Sequence, residues 1–305
     1  MTPKLIKASI LLACYASLLV SLLIQADQPD SGDFKSTDTW IESRSIQIPV
    51  TIVVPLDSSS GPMPIVVLLH GHGGTRHEAG GYTRVAEGLA AHGIASIRMD
   101  FPGCGDSLEG FKNNNLTNMI ADLNAARSHA LRTLNINENR MGMLGFSMGG
   151  RLALSQGAHA TDYRAIGLWA PDAEDGEANI REYLGGSDQY QQMKATAKHQ
   201  GFAPFTTFWG QDQQLGYQWF TDMEASSVTP TIEQYPGALM VLYGDLDTVV
   251  KPAISKRVLK KAIRANPAIE RLIVGADHGL GLFNNDTLRS GQVISETIAF
   301  FVKHL

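Results

Sequence analysis

Residues 145–149 read Gly-Phe-Ser-Met-Gly, a serine between two glycines at the spacing G-x-S-x-G. A strand-like run at 140–144 stops just before it, and apolar residues at helical spacing resume over 148–158. A chain that turns directly from strand into helix leaves no room for bulky side chains beside the turn. The residue at the apex is pushed into a strained, exposed position at the helix N-terminus. A serine there is placed to attack a carbonyl carbon. The same pattern arises as a glycine-rich turn with an incidental serine, and the strand–turn–helix context is what argues against that reading.

A serine hydroxyl is a weak nucleophile and needs a base. Of nine histidines, His278 is best placed, in Gly275-Ala276-Asp277-His278-Gly279 directly after the last strand-like run. A histidine in a glycine-rich loop there can reach the top of a sheet. His92, His129, His159, His199 and His304 read as surface residues. The base needs an acid that fixes its tautomer and stabilises its cation. Residues 244–250, Gly-Asp-Leu-Asp-Thr-Val-Val, follow the preceding strand and offer two carboxylates. Asp247 is preferred, because a short loop is needed to turn the side chain toward His278. Asp245 is the alternative and Asp172 a more distant one. The chain order Ser147, Asp247, His278 is that of hydrolases built on this strand–turn–helix device.

Attack on a carbonyl creates a negative oxygen that preorganised donors must stabilise. The backbone N–H of Met148, at the start of the helix after the serine, is one expected donor. The second is expected from His70-Gly71-His72-Gly73-Gly74, after the first long parallel strand: the N–H of His72, with that of Gly73 as fallback. The His70 and His72 side chains read as supports of that loop. Residues 100–107 form a tight loop after another strand and read as pocket wall. Cys104 within it reads as an inert thiol, since no basic group is evident beside it.

The elements that must position these groups are legible as alternation. Strand-like runs at 45–54, 65–69, 94–99, 140–144, 165–170, 238–243 and 270–274 are separated by helical patterns at 79–92, 116–134, 148–158, 252–265 and 289–303. That rhythm predicts an α/β protein with a mostly parallel sheet and helices on both faces. A turn is expected at 57–62. Residues 175–236 break the rhythm and carry ten of the chain's 23 aromatic residues. They read as a cap inserted over the strand ends, with most of the aromatics forming its own small core. Residues 27–44 read as a linker and 45–305 as one domain that contains the cap.

The chain has 305 residues, 44% hydrophobic and 18% charged, which is enough to bury a large core without staples. The net charge of −5 has no block of like charge, which argues against nucleic acid as a partner. Residues 1–26 begin with Lys4 and Lys7, continue uncharged through 8–24, and end in Ile-Gln-Ala. This reads as a signal peptide for export, periplasmic or secreted, with an uncleaved membrane anchor as the alternative. The long apolar run after Cys14 argues against lipidation of that residue. Only Cys104 would remain after cleavage, so no internal disulfide and no zinc-binding pair is expected. No cofactor is expected.

Taken together, His70–Gly74 (residues 70–74), 93–101, 103–107, 145–150, 244–250 and 275–279 resemble the α/β-hydrolase superfamily over residues 45–303. Within it the chain is similar to capped serine esterases that include cinnamoyl and feruloyl esterases, and to serine aminopeptidase-like relatives. The resemblance implies the α/β-hydrolase fold and catalytic roles for Ser147, Asp247 and His278, supporting Asp247 over Asp245. It implies a cap that shapes the acyl pocket. Pro102 departs from the polar or basic residue of many relatives. The cap does not match residue by residue, so no substrate-binding residue is carried over.

The expected function is metal-independent hydrolysis of a carboxylic ester through an acyl-enzyme. The substrate is a small molecule with an apolar or aromatic part, and a membrane is met only through an uncleaved N-terminal segment. Two alternatives stand. One is a peptidase or thioesterase with the same triad, for which Glu174, Asp175 and Glu177 could bind a substrate amine. The other is a non-catalytic ligand-binding relative.

Overall fold

The computed structural model describes residues 34–56, 61–157 and 163–305. The expected signal segment 1–26, His159 and most of the turn at 57–62 lie outside the described residues. Among the described residues, no helix is long and apolar enough to cross a membrane.

Eight strands form one sheet: β1 (Phe34–Ser43), β2 (Ile46–Pro55), β3 (Met63–Leu69), β4 (Ala95–Met99), β5 (Ile136–Phe146), β6 (Tyr163–Trp169), β9 (Ala238–Gly244) and β10 (Ala268–Ile273). Their spatial order is β1-β2-β4-β3-β5-β6-β9-β10. β1 pairs antiparallel with β2, and β2 with β4; from β4 onward every pairing is parallel. Parallel strands sit under helices on both faces, which is why Val66, Leu68 and Leu69 in β3 and all of β9 are buried. Each such buried aliphatic side chain contributes ~1.5–3 kcal/mol. Two large apolar clusters result, one on each face of the sheet, with a third small one of Val53, Ala86 and Ala90.

Covering helices are α1 (Gly81–Ala90), α2 (Leu116–Thr133), α3 (Met148–Gly157), α8 (Pro252–Lys261) and α9 (Thr287–His304). The stretch between β6 and β9 holds α4 (Ala178–Tyr183), α5 (Ser187–Gln200), the hairpin β7 (Phe202–Thr206) and β8 (Asp212–Gly216), α6 (Tyr217–Ala225) and α7 (Thr229–Gln234). The hairpin forms its own two-stranded sheet. Tyr190, Trp219 and Phe220 pack edge to face inside this insertion, with ring centroids 5.0–5.3 Å apart.

One expectation is corrected. Residues 34–44 are not linker, because β1 pairs along its whole length with β2 in an unbroken register from Phe34↔Pro55 to Ser43↔Ile46. Its sequence, Phe-Lys-Ser-Thr-Asp-Thr-Trp-Ile-Glu-Ser, is polar because it is an edge strand with most side chains in solvent. The domain therefore includes at least Phe34.

Candidate active site

Ser147 is the single residue between β5 and α3, and its backbone has φ +52°. That left-handed conformation is costly for a residue with a Cβ and persists only where the surroundings impose it. They do so here. A Cβ on Gly145 would lie 2.2 Å from the Gly149 carbonyl oxygen. One on Gly149 would lie 1.9 Å from the carbonyl oxygen of Leu69 and 2.7 Å from that of His70. The Ser147 N–H donates to the Trp169 carbonyl at 2.9 Å, which fixes the turn to β6.

Gly149→Ala tests this packing. The obstructing atoms are backbone of a central strand and its exit loop. Overpacking typically costs about 1–3 kcal/mol, and backbone contacts this short put the cost at the top of that range or above it, which outweighs the ~1 kcal/mol that alanine gains over glycine inside a helix. The melting temperature is expected to fall by about 5 °C or more. An unchanged melting temperature would show that the backbone yields.

His278 lies in the loop after β10, its ring 5.0 Å from that of Phe146. The Ser147 hydroxyl and His278 Nε2 are 3.0 Å apart, and His278 Nδ1 is 2.7 Å from Asp247 Oδ2. With Nδ1–H donating to the carboxylate, Nε2 is left as the acceptor for the serine hydroxyl. The Asp247 side chain is buried, and its other oxygen accepts the N–H groups of Val249 and Val250 at 2.9 and 2.8 Å. The two alternative acids are engaged elsewhere. Asp245 accepts the Gly275 N–H at 2.5 Å. Asp172 pairs with the fully buried Arg151 at 3.2 Å and also accepts from Asn179.

The loop after β3 passes close over the serine. A Cβ on Gly71 would lie 2.8 Å from the Phe146 ring and 3.5 Å from Ser147 Cβ. The loop closes as a turn, with the Gly74 N–H donating to the Gly71 carbonyl at 3.0 Å. His70 is buried. Its Nε2 accepts the Phe101 N–H at 3.0 Å and its Nδ1 bonds the Gly71 carbonyl at 2.7 Å, tying this loop to the one after β4. His72 Nε2 lies 2.8 Å from Gln213 Oε1 on β8, tying the loop to the insertion. Burial holds the His72 imidazole at a pKa of about 4, so it is neutral at ordinary pH. The Gly73 N–H is engaged by the Cys104 sulfur. Cys104 is buried and its thiol is pushed up by that burial, the opposite of a reactive cysteine.

Met148 opens α3, where the first N–H groups have no acceptor within the helix. Met148 and His72 line the same cavity as Ser147, one from the helix and one from the loop after β3. This cavity, which His278 also lines, is about 540 Å³ and is walled by Tyr183, Phe208, Trp209 and Trp219 of the insertion and by Phe146 and Phe283. Four of the ten aromatics between 175 and 236 thus face the cavity.

Three comparisons bear on this arrangement. The family model described as serine aminopeptidase, S33, matches residues 60–196. No curated protein matches the chain in sequence. Among solved structures, Est1E from Butyrivibrio proteoclasticus with ferulic acid bound superposes with a TM-score of 0.72 at 19% identity, over 87% of this chain and 98% of that one. The esterase domain of a Rhodothermus marinus protein gives 0.64 at 17% identity, over 88% and 99%. A monoacylglycerol lipase from Paleococcus ferrophilus gives 0.64 at 14% identity, over 85% and 100%. The chain has the α/β-hydrolase fold.

Of the other histidines in this chain, His92 and His199 are exposed, while His129 and His304 are half-buried, His304 against Phe300. Among the described residues, no group of three or more His, Cys, Asp or Glu side chains is arranged to hold a metal ion. Two buried charged residues near the site escaped the sequence reading. Arg151, one turn into α3, bonds Asp172, the Gly176 carbonyl and Ser226, and so anchors the base of the insertion to the serine helix. Glu78 lies under the loop after β3 and is 1% exposed.

Proposed function

We propose that this α/β-hydrolase is a serine hydrolase that cleaves carboxylic esters through an acyl-enzyme, with Ser147, His278 and Asp247 as its triad. The observation that carries the reading is the unbroken chain from the Ser147 hydroxyl through His278 to Asp247, at 3.0 and 2.7 Å, with Ser147 and His278 on the wall of the cavity. His278 Nε2 takes the hydroxyl proton as Oγ attacks the ester carbonyl carbon. Asp247 holds the imidazole in the required tautomer and stabilises its cation. The N–H groups of Met148 and His72 receive the oxyanion. The protonated His278 then delivers its proton to the departing alkoxide, and the acyl group stays on Ser147. Water, activated by His278, attacks the acyl carbon and releases the acid.

The aromatic walls support a substrate with an apolar or aromatic part, and Est1E holds ferulic acid in a similar fold. Ester is favoured over peptide by what the three acids of the insertion do. Glu174 pairs with Arg257, Glu177 with Arg181, and Asp175 accepts from Ser227, Val228 and Thr229. None of the three lines the cavity, and of the acids that do, Asp172 pairs with Arg151, Asp277 accepts the Gly279 N–H and Glu78 accepts the Gly71 N–H. p-Nitrophenyl acetate or butyrate is expected to exceed an aminoacyl-naphthylamide in kcat/KM by at least about a hundredfold, because an unrecognised ammonium is costly to desolvate. The opposite preference would move the reading to a peptidase. The basic start and apolar run of residues 4–24 support export, by cleavage or with the segment kept as an anchor. N-terminal sequencing of the chain from its host decides between these, and an intracellular full-length chain would end the export reading.

A further inference from the structure

Among the described residues, no Lys, Arg or His pairs with the Glu78 carboxyl. Its Oε2 accepts the Gly71 N–H at 2.8 Å, and both oxygens lie against Gly74, 3.0–3.1 Å from where a Cβ would stand. It thus spans the two ends of the Gly71–Gly74 turn, whose middle carries the His72 N–H. The side chain is buried yet lines the cavity of Ser147. The backbone is distorted to put it there. Glu78, Ala79 and Gly80 have φ of +43°, +50° and +82°, two of them residues that resist left-handed geometry. Strain of this kind persists where the surrounding structure over-determines it, and it clusters at functional sites. A solvated glutamate at the start of a helix would need none of it.

We propose that Glu78 is a positioning residue for the hydrolytic reaction: its carboxyl sets the height of the Gly71–Gly74 turn, and so of the backbone donor that meets the oxyanion. The inference rests on the serine-hydrolase reading and names a residue that reading does not use. Burial pushes the Glu78 carboxyl up to about 8, with the Gly71 N–H opposing the rise. At neutral pH the turn is therefore held by an uncharged group. Loss of that proton at higher pH puts a negative charge in the same low-dielectric cavity as the developing oxyanion, and the two repel. Tyr82 of α1 and Cys104 of the loop after β4 face Glu78, and both are neutral there: the Tyr82 pKa is raised by burial and then by this carboxyl, that of Cys104 by burial, then by Asp100 and then by this carboxyl. From the other walls of the cavity come His72, Asp172, Asp277 and His278.

The test is the pH profile of p-nitrophenyl butyrate hydrolysis by the full chain and two variants between pH 6 and about 9.5. Wild-type kcat is expected to fall above pH 8. Glu78→Gln keeps an oxygen for the Gly71 N–H and cannot ionise. It is expected to hold kcat within about threefold at pH 7 and to lose the alkaline fall. Glu78→Leu removes the acceptor and is expected to lower kcat at least about tenfold with KM within about twofold, as loss of a transition-state contact does. An alkaline fall in Glu78→Gln identical to wild type would overturn the proposal, and so would an unchanged kcat in Glu78→Leu. The glutamine profile stands alone if the leucine variant fails to fold. A wild-type chain that neither turns over the ester nor reacts with a fluorophosphonate ends the serine reading itself. A wild-type chain that does both beside unaltered Glu78 variants ends only this proposal.

Discussion

Ser147→Ala is expected to lower kcat for p-nitrophenyl butyrate by about 10⁵- to 10⁶-fold, with the fold intact. The substitution deletes the attacking atom and little else. Among the described residues the Ser147 hydroxyl bonds only His278, while the turn is held by the backbone, through the Ser147 N–H to Trp169 and the Gly145–Gly149 contact. A small residual rate over water would remain from the oxyanion donors and the binding cavity. Steady-state kinetics with a thermal melt on the same sample checks both halves. Near-normal turnover by a folded Ser147→Ala protein would remove the serine from the mechanism.

Asp247→Asn is expected to cost about 10⁴-fold in kcat for a subtler reason. Asparagine keeps an oxygen for the N–H groups of Val249 and Val250, so the loop stays in place. Its amide nitrogen then faces His278 Nδ1 and asks it to accept. The imidazole responds by carrying its proton on Nε2, where it cannot take the hydroxyl proton of Ser147. Asp245→Asn is the control two residues away. Its side chain serves the Gly275 N–H, a role that an amide oxygen also fills, so kcat is expected to stay within about tenfold. A reversal of the two effects would reassign the acid.

What was legible in the sequence is what local chemistry dictates. The turn at 145–149 is specified by residues within five positions, and two of them are glycine because carbonyl oxygens occupy the space of a Cβ. The parallel strands stood out because burial on both faces makes them continuous apolar runs, as in β3 and β9. β1 did not, because an edge strand facing solvent has the composition of a linker. Spacing alone barely separates Asp247 from Asp245, since the choice depends on which way each side chain leaves the seven-residue loop 245–251. Glu78 was invisible for a different reason. A glutamate before Ala-Gly-Gly reads as solvated, and only the left-handed backbone and the overlying glycine turn show it folded inward. The glycines after it are the one sequence feature that could have hinted at the distortion.

Fluorophosphonate labelling followed by mass spectrometry of tryptic peptides measures the nucleophile itself. Cleavage after Arg140 and Arg151 yields a peptide of residues 141–151 in which Ser147 is the sole serine. The predicted result is one covalent adduct, on that peptide, lost when His278 is replaced by alanine. A folded chain that takes no label, or takes it at another residue, would contradict the account.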